Sequence, residues 1–408
     1  MNQNKKICVI GLGYIGLPTA ALLGNRGYSV HGVDVVESTI NIINEGKIHI
    51  VEPELDTFVQ SAVNSGKLKA SLVPTIADVF IIAVPTPFHE GYVPNVDYVV
   101  SATRTIAPFV KAEDIVILES TSPVGTTELV EKTLKEENVD TSKLYIAHCP
   151  ERVLPGHIMR ELVENDRIVG GLTPEATVKT VEFYKTFVSG AVLSTDARTA
   201  EMAKLTENSF RDTNIAFANE LSMLCDKFDI NVWELISLAN RHPRVNILQP
   251  GAGVGGHCIA VDPWFIVHAG GDTAKMIRTA REVNTYKTEW AIEKIKNAAL
   301  KFENENGRKA KVACMGLAFK PDIDDLRESP ALYIAQRLTQ KLDNIMACEP
   351  NIPLDFDHSK LKIKNSTFQL VDVNQIIDSA DIVTFLVAHK EFKKLDIRTD
   401  LDFCGVLN

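Results

Sequence analysis

Three observations predict an α/β fold of two doubly wound parallel-sheet domains joined by a central helical region. Continuous apolar runs of strand length alternate with helix-length segments through the first half, the pattern of parallel strands buried on both faces. Two stretches with helical periodicity and neither Gly nor Pro, residues 197–229 and a second at about 275–302, occupy the middle. Strand and helix alternation then resumes at Lys311.

Taken in order, the strand-type runs are KKICVIG at 5–11, YSVHGVD at 28–34, VFIIAVP at 79–85, DIVILES at 114–120 and LYIAHCP at 144–150. After the long helices come KVACMGLAF at 311–319, NIMACEP at 344–350 and DIVTFLVAH at 381–389. Paired long helices usually form an interdomain brace or an oligomer interface. The later runs carry no glycine fingerprint of their own, and the charged patch FENENGRK at 302–309 is the surface boundary this pattern predicts. Neither a short-period repeat nor a low-complexity linker interrupts the chain.

At 408 residues the chain is too long for one core and fits two or three domains. Hydrophobic residues make up 45% and charged residues 24%, yet no run approaches the roughly 18 unbroken apolar residues of a membrane helix, so no membrane partner is expected. MNQNKK runs straight into a strand and leaves no room for a signal peptide, which predicts a cytoplasmic protein. Seven scattered cysteines argue against a disulfide framework and against a zinc site, so no metal is expected. A net charge of -10 disfavours nucleic acid, and an anionic ligand must be met by local cations.

Gly11-Leu12-Gly13-Tyr14-Ile15-Gly16 follows a strand run and opens a helical one, the context that makes this pattern a dinucleotide fingerprint. The first glycine permits a tight turn, the second lets the backbone approach a pyrophosphate, and the third lets helix pack on strand. Free N–H groups at the helix start then meet the phosphates. Asp34, ending the second run, falls where a carboxylate accepts from a ribose 2′-hydroxyl, which favours NAD over NADP. Val84-Pro85-Thr86-Pro87 and Ser120-Thr121-Ser122-Pro123 end two further runs at the same sheet edge. Their hydroxyls suit the nicotinamide ribose or a reacting alcohol, although each alone is more often a simple turn.

Pro150-Glu151-Arg152 puts a carboxylate and a guanidinium at that edge too. Glu151 is a candidate general base acting through water, and a surface ion pair at a strand end is the equally open reading. Lys204 and Asn208 stand four residues apart, on one face of a helix, where they suit a developing alkoxide or a solvated surface. Gly253-Val254-Gly255-Gly256-His257-Cys258, followed by Asp262, sets a thiol among glycines. Either the thiol is an inert one in a turn, or it traps an aldehyde during a dehydrogenase cycle and carries an alcohol through to an acid. A thiolate needs a cationic neighbour, for which Lys204 and Lys320 are the candidates, whereas His257 points away from its sequence neighbour.

These motifs, with Phe319-Lys320 and Arg327-Glu328-Ser329, resemble the UDP-glucose/GDP-mannose dehydrogenase family over essentially the whole chain. The resemblance implies a Rossmann-like NAD domain at 1–196, a helical dimerisation region at 197–302 that makes a homodimer, and a UDP-sugar domain at 303–408. It implies that Cys258 is the nucleophile, that Lys204 and Asn208 steady the oxyanion, that Glu151 does acid/base or water-positioning work, and that Thr121 and Asp262 assist with water. The cofactor side would comprise Gly11, Gly13, Tyr14, Ile15, Gly16 and Asp34, with Val84, Thr86, Ser120, Thr121 and Arg327. On the substrate side would stand Glu151, Arg152, Lys204, Asn208 and Gly255, with His257, Phe319, Lys320 and Arg244, the last a candidate contact from the partner subunit.

Members that oxidise UDP-glucose typically carry lysine before the aspartate that follows the cysteine, and Val261 stands there instead. That departure points to the branch acting on UDP-N-acetylhexosamines. Within it, residues 150–156 and 208–212 are most similar to members acting on UDP-N-acetyl-D-mannosamine, with UDP-N-acetylglucosamine 6-oxidation as the alternative. Two readings from other classes are an NAD-dependent 3-hydroxyacid dehydrogenase, which has no use for Cys258, and a non-catalytic NAD-binding protein, which leaves Lys204, Cys258 and Lys320 unexplained.

Overall fold

The computed structural model describes residues 5–256, 258–354, 368–397 and 399–407. Its contacts divide the chain into two compact units, Met1–Glu207 with Trp264–Ala269, and Asn208–Pro263 with Gly270–Asn408.

The strands of the first unit are β1 (Lys6–Ile10), β2 (Ser29–Val33), β3 (Leu68–Ser71), β4 (Val79–Ile82), the short pair β5 (Phe88–His89) and β6 (Val93–Pro94), β7 (Ile115–Leu118), β8 (Tyr145–His148), β9 (Arg167–Gly171) and β10 (Val192–Asp196). Eight of them form one sheet in the order β10-β9-β8-β7-β4-β1-β2-β3, while β5 and β6 make an antiparallel hairpin. Only the β8–β9 pairing in the sheet is antiparallel. Around it lie α1 (Gly16–Asn25), α2 (Glu37–Asn44), α3 (Leu55–Asn64), α4 (Asp97–Ile106), α5 (Thr126–Glu136), α6 (Ile158–Glu164) and α7 (Pro174–Tyr184). Successive residues of β1 enter opposite cores, Ile7 and Val9 one of them, Cys8 and Ile10 the other. Cover on both faces is why the sequence of this strand is unbroken apolar rather than alternating. Strand order reverses between β1 and β4, and the crevice outside their carboxyl ends is where a doubly wound sheet binds its ligand.

Next come α8 (Ala197–Lys227), α9 (Val232–Ala239), α10 (Asp262–Gly270) and α11 (Lys275–Asn306). Gly307 ends α11 in the left-handed region at φ 67°, a conformation that favours glycine. Beyond it lie β11 (Val312–Met315), α12 (Pro330–Thr339), β12 (Ile345–Cys348), β13 (Gln369–Leu370), α13 (Val373–Ser379), β14 (Ile382–Phe385) and β15 (Leu401–Asp402). The five strands form a parallel sheet in the order β13-β12-β11-β14-β15. The fold class is therefore α/β, two doubly wound Rossmann-like sheets with long helices between them in sequence.

Each of the eight apolar runs read from the sequence contains a strand. Missed were β3, β9 and β10 in the first sheet and β13 and β15 in the second, mostly edge strands with one wet side. The second sheet also repeats part of the first turn. Gly11 after β1 donates its N–H to Val33 at 2.8 Å, and Gly316 after β11 donates to Cys348 at 2.8 Å. Both glycines are left-handed, at φ 89° and 91°. An acid follows the next strand in each: Asp34 accepts the Leu12 N–H at 2.9 Å, and Glu349 those of Leu317 and Ala318 at 2.8 and 2.9 Å. Among the described residues no helix is long and apolar enough to cross a membrane.

Candidate active site

The fingerprint loop shows which of its glycines packing demands. A Cβ on Gly16 would stand 1.7 Å from the Gly11 carbonyl oxygen, so α1 starts against β1 only with glycine there. A Cβ on Gly13 would meet nothing within 4 Å, so packing does not explain that glycine, whereas a pyrophosphate approaching the backbone does. Tyr14 is 39% exposed and Ile15 is the N-cap of α1, at the N-terminal end of that helix. Asp34 is aimed by two N–H donors, Leu12 at 2.9 Å and Val36 at 3.0 Å, which leave lone pairs on its carboxylate for a ribose hydroxyl. These residues fit NAD.

Two neighbouring loops are tied to each other. Ser120 donates its hydroxyl to the Val84 carbonyl at 2.7 Å, and Thr86 donates to the Thr121 carbonyl at 2.5 Å. Each hydroxyl thereby fixes the other loop's backbone at the sheet edge. Beyond Thr86, the β5–β6 hairpin stacks Tyr92 on Trp264 with centroids 4.3 Å apart and sets Phe88 edge-on to Phe265 at 5.5 Å.

Glu151, after β8, is 6% exposed. One carboxylate oxygen accepts the Arg152 N–H at 2.7 Å, and the other accepts from the Arg167 guanidinium. The ion pair is therefore buried, not a surface pair, and its cation is not the sequence neighbour. Arg152 instead donates to Glu207 and to the Asp166 carbonyl, both at 2.6 Å. Lys204 is half-buried on α8, one turn beyond Glu201, which accepts the Gly125 and Thr127 N–H groups at 2.7 and 2.8 Å and so caps α5. Burial pushes the Glu201 carboxyl up, against those donors.

In the second unit the glycine loop and α8 are joined at both ends of the loop. Asn219 of α8 accepts the Gly251 N–H at 2.9 Å, and Asn208 donates to Asp262 at 2.5 Å. Thr288 of α11 donates to the Ala252 carbonyl at 3.1 Å. Behind Asn219 the polar network continues: Asn219 donates to Asn284 at 2.9 Å, Asn284 to Asp212 at 2.8 Å, and Arg281 to Asp212 at 2.6 Å. Burial pushes the Asp212 carboxyl up, and Arg281 opposes it. Between the anchors, Gly256 is left-handed at φ 84° and a Cβ there would lie 2.9 Å from the Phe319 ring. Close passage against Phe319 is why the loop is glycine. Gly255 lies tighter still, since a Cβ there would stand 2.3 Å from the Glu328 carbonyl oxygen. Cys258 is exposed, and its carbonyl accepts the Val261 and Asp262 N–H groups at 3.0 and 2.8 Å, a turn that sets Asp262 as the first residue of α10.

Lys320 stands 5.8 Å from the Phe319 ring centroid. Arg327 makes a bidentate pair with Asp325, with Nε at 2.9 Å and Nη2 at 2.6 Å, and Arg244 is exposed. His257 lies outside the described residues. Arg167, Glu119 and Tyr184 were not read from the sequence. The available signal was a charge placed directly against an apolar run: Arg167 opens IVGG and Glu119 closes IVIL.

Comparison with known proteins gives three consecutive family models. The UDP-glucose/GDP-mannose dehydrogenase family NAD binding domain matches residues 5–188, its central domain 198–286, and its UDP binding domain 313–402. The chain is 57% identical over 416 residues to a UDP-N-acetyl-D-mannosamine dehydrogenase of Campylobacter jejuni, covering 99% of this chain and 100% of that one. It is 52% identical over 402 residues to an NDP-N-acetyl-D-galactosaminuronic acid dehydrogenase of Ralstonia nicotianae, covering 96% and 92%. Among solved structures, a UDP-D-ManNAc dehydrogenase of Pyrococcus horikoshii superposes with a TM-score of 0.87 at 36% identity, over 99% of this chain and 96% of the other. The chain belongs to the UDP-glucose/GDP-mannose dehydrogenase family.

Proposed function

We propose that the protein oxidises the C6 hydroxymethyl group of UDP-N-acetyl-D-mannosamine to a carboxylate, giving UDP-N-acetyl-D-mannosaminuronate and two NADH. The observation that carries this reading is Cys258, the exposed cysteine among the described residues, on a glycine loop whose following aspartate is held by Asn208. The C. jejuni relative, at 57% identity over its full length, supports the choice of sugar.

NAD, held at the Gly11–Gly16 turn and Asp34, would supply the hydride acceptor for each of the two oxidations. Lys204 and Asn208 hold the charge that develops on the C6 oxygen. Cys258 thiolate adds to the C6 aldehyde, and oxidation of that thiohemiacetal leaves a thioester on the sulfur, so no free aldehyde escapes. Water ordered by Thr121, Glu151 and Asp262 adds to the thioester carbonyl, the C–S bond breaks, and the thiol is restored. Gly11, Gly13, Gly16 and Asp34 hold the dinucleotide, helped by Tyr14, Ile15, Val84, Thr86, Ser120 and Arg327. Arg152, Gly255, His257, Phe319 and Lys320 serve the UDP-sugar, and Arg244 reaches it from a partner subunit.

The division of labour we infer is cofactor binding at 1–196, dimerisation at 197–302 and UDP-sugar binding at 303–408. Support for a homodimer comes from α8, where Phe210, Phe217 and Leu224 recur at helical spacing and are 71%, 58% and 42% exposed, with Phe228 just past its end 60% exposed. A cytoplasmic setting, where NAD and nucleotide sugars are both at hand, and a supply role in surface polysaccharide synthesis complete the reading.

NADH release to completion from limiting UDP-N-acetyl-D-mannosamine tests it, with two NADH per sugar expected. One NADH per sugar would sink the four-electron mechanism. The relative named for N-acetyl-D-galactosaminuronic acid makes other UDP-N-acetylhexosamines the comparison substrates, UDP-N-acetylglucosamine first. Cys258→Ser should lower turnover by orders of magnitude while NAD binding persists; near wild-type turnover in that variant excludes the covalent route.

A further inference from the structure

Behind Glu151 the first unit holds a buried ionisable cluster. The residue after β7, the end of β8, the start of β9 and the end of α7 contribute Glu119, Cys149 with Glu151, Arg167 and Tyr184, none more than 6% exposed. Arg167 donates to Glu151 and, through Nη2, to the Leu162 carbonyl at 3.0 Å, while its guanidinium lies 5.6 Å from the Tyr184 ring centroid. Glu119 accepts the Tyr184 hydroxyl at 2.6 Å through Oε1, and its Oε2 is buried without a hydrogen-bond partner.

Counting charge decides how this cluster is occupied. It contains two carboxyls and one guanidinium, and an uncompensated anion at such depth is far costlier than a neutral acid. Glu151 holds the guanidinium directly, so Glu119 is the carboxyl that keeps a proton. We propose that Glu119 is a positioning residue for Glu151: protonated, it leaves Arg167 to Glu151 alone, and ionised, it divides Arg167 between two carboxylates and loosens Glu151. This rests on the reading of Glu151 as a water-ordering carboxylate. The proton exchanges with solvent and is not passed to substrate.

Facing Glu119 are Glu151, Arg167, Tyr184 and Cys149. Burial first, and the Glu151 carboxylate second, push the Glu119 carboxyl up to about 7, against Arg167 and the Tyr184 hydroxyl, which pull it down. Burial pushes the Cys149 thiol up to about 12, so it stays neutral. The position of Glu119 beside Ser120 and Thr121 puts this proton next to the loop that carries two of the proposed site residues.

Glu119→Gln fixes the neutral form with little change of shape. The ratio of its kcat to that of the wild type should rise as pH passes through about 7 and level off on either side. Tyr184→Phe removes a donor that favours the carboxylate, so the wild-type transition should move to higher pH in that variant. A role in packing alone changes the melting temperature and leaves the ratio flat from pH 5.5 to 9, which overturns the proposal. Infrared difference spectra supply a readout besides activity: a protonated-carboxyl carbonyl stretch at acid pH, lost above the transition and absent from Glu119→Gln. Its absence from the wild type also overturns the proposal. Glu151→Gln separates the two failures, because full turnover in that variant removes the parent reading, and with it the positioning role. Lost turnover there beside a flat Glu119→Gln ratio removes the positioning role alone.

Discussion

Asp34 is held by its own chain before any ligand arrives, since the Leu12 and Val36 N–H groups fix both carboxylate oxygens. Asp34→Ala should therefore weaken NAD by about tenfold, the worth of one hydrogen bond to a charged group, and relax discrimination against NADP. Cofactor affinities for the two dinucleotides check it; an unchanged preference means that Asp34 does not face the ribose. At this scale the sequence carried the features set by local geometry: the glycine turns, the acid after the second strand, and an exposed thiol among glycines. It did not carry the partners. Glu151 was legible at a strand end, but its cation is Arg167, sixteen residues on and on another strand, while neighbouring Arg152 binds Glu207. Adjacent side chains on extended backbone diverge, so a buried pair is chosen by tertiary packing.

Along α8 the two sides do different work. One presents Asn208, Asp212, Asn219 and Ser222 to the glycine loop and α11, and the other presents the exposed Phe210 and Phe217. Length and periodicity made both long helices readable, but which polar residues pair across them depends on how the helices dock. Lys287 of α11 is the clearest example, 2% exposed, donating to Ser222 at 2.7 Å and lying 3.9 Å from the Trp290 ring centroid. Burial lowers its ammonium to about 7, although Asp226 opposes the shift. The folded pKa then lies below the unfolded value of about 10.4, so between them the unfolded chain binds more protons and stability rises with pH. Lys287→Met should flatten that rise, which is on the order of a few kcal/mol from pH 7 to pH 10. Melting curves of both proteins at the two pH values measure it, and parallel shifts would show that Lys287 is not the source. Strands were legible for a related reason: central ones are covered on both faces and read as unbroken apolar runs, whereas edge strands such as β10, with five residues none of them buried, do not.

For the whole molecule, the apolar stripe on α8 is the feature that a lone chain leaves in water. Phe217→Glu should convert a dimer to monomers in sedimentation equilibrium while the far-ultraviolet circular dichroism is unchanged; a persisting dimer places the interface elsewhere. If Arg244 reaches the sugar from the partner, the monomer also loses affinity for substrate. Two doubly wound sheets were foreseeable from the alternation at each end of the chain, but the echo of the first turn in the second was not, because one glycine and one acid make no fingerprint. The echo differs in its acid. Asp34 receives two backbone donors and keeps lone pairs to offer. Glu349 receives Leu317, Ala318 and Asn351 N–H groups and pairs with the buried His389 at 3.0 Å, while burial, though it opposes the charge, is outweighed and the carboxyl stays below its usual range. A ribose arriving at that second turn would find its acceptor saturated and would have to strip several donors from a buried anion. The chain thus carries part of one turn twice, and in the second the longer acid is already occupied by its own chain.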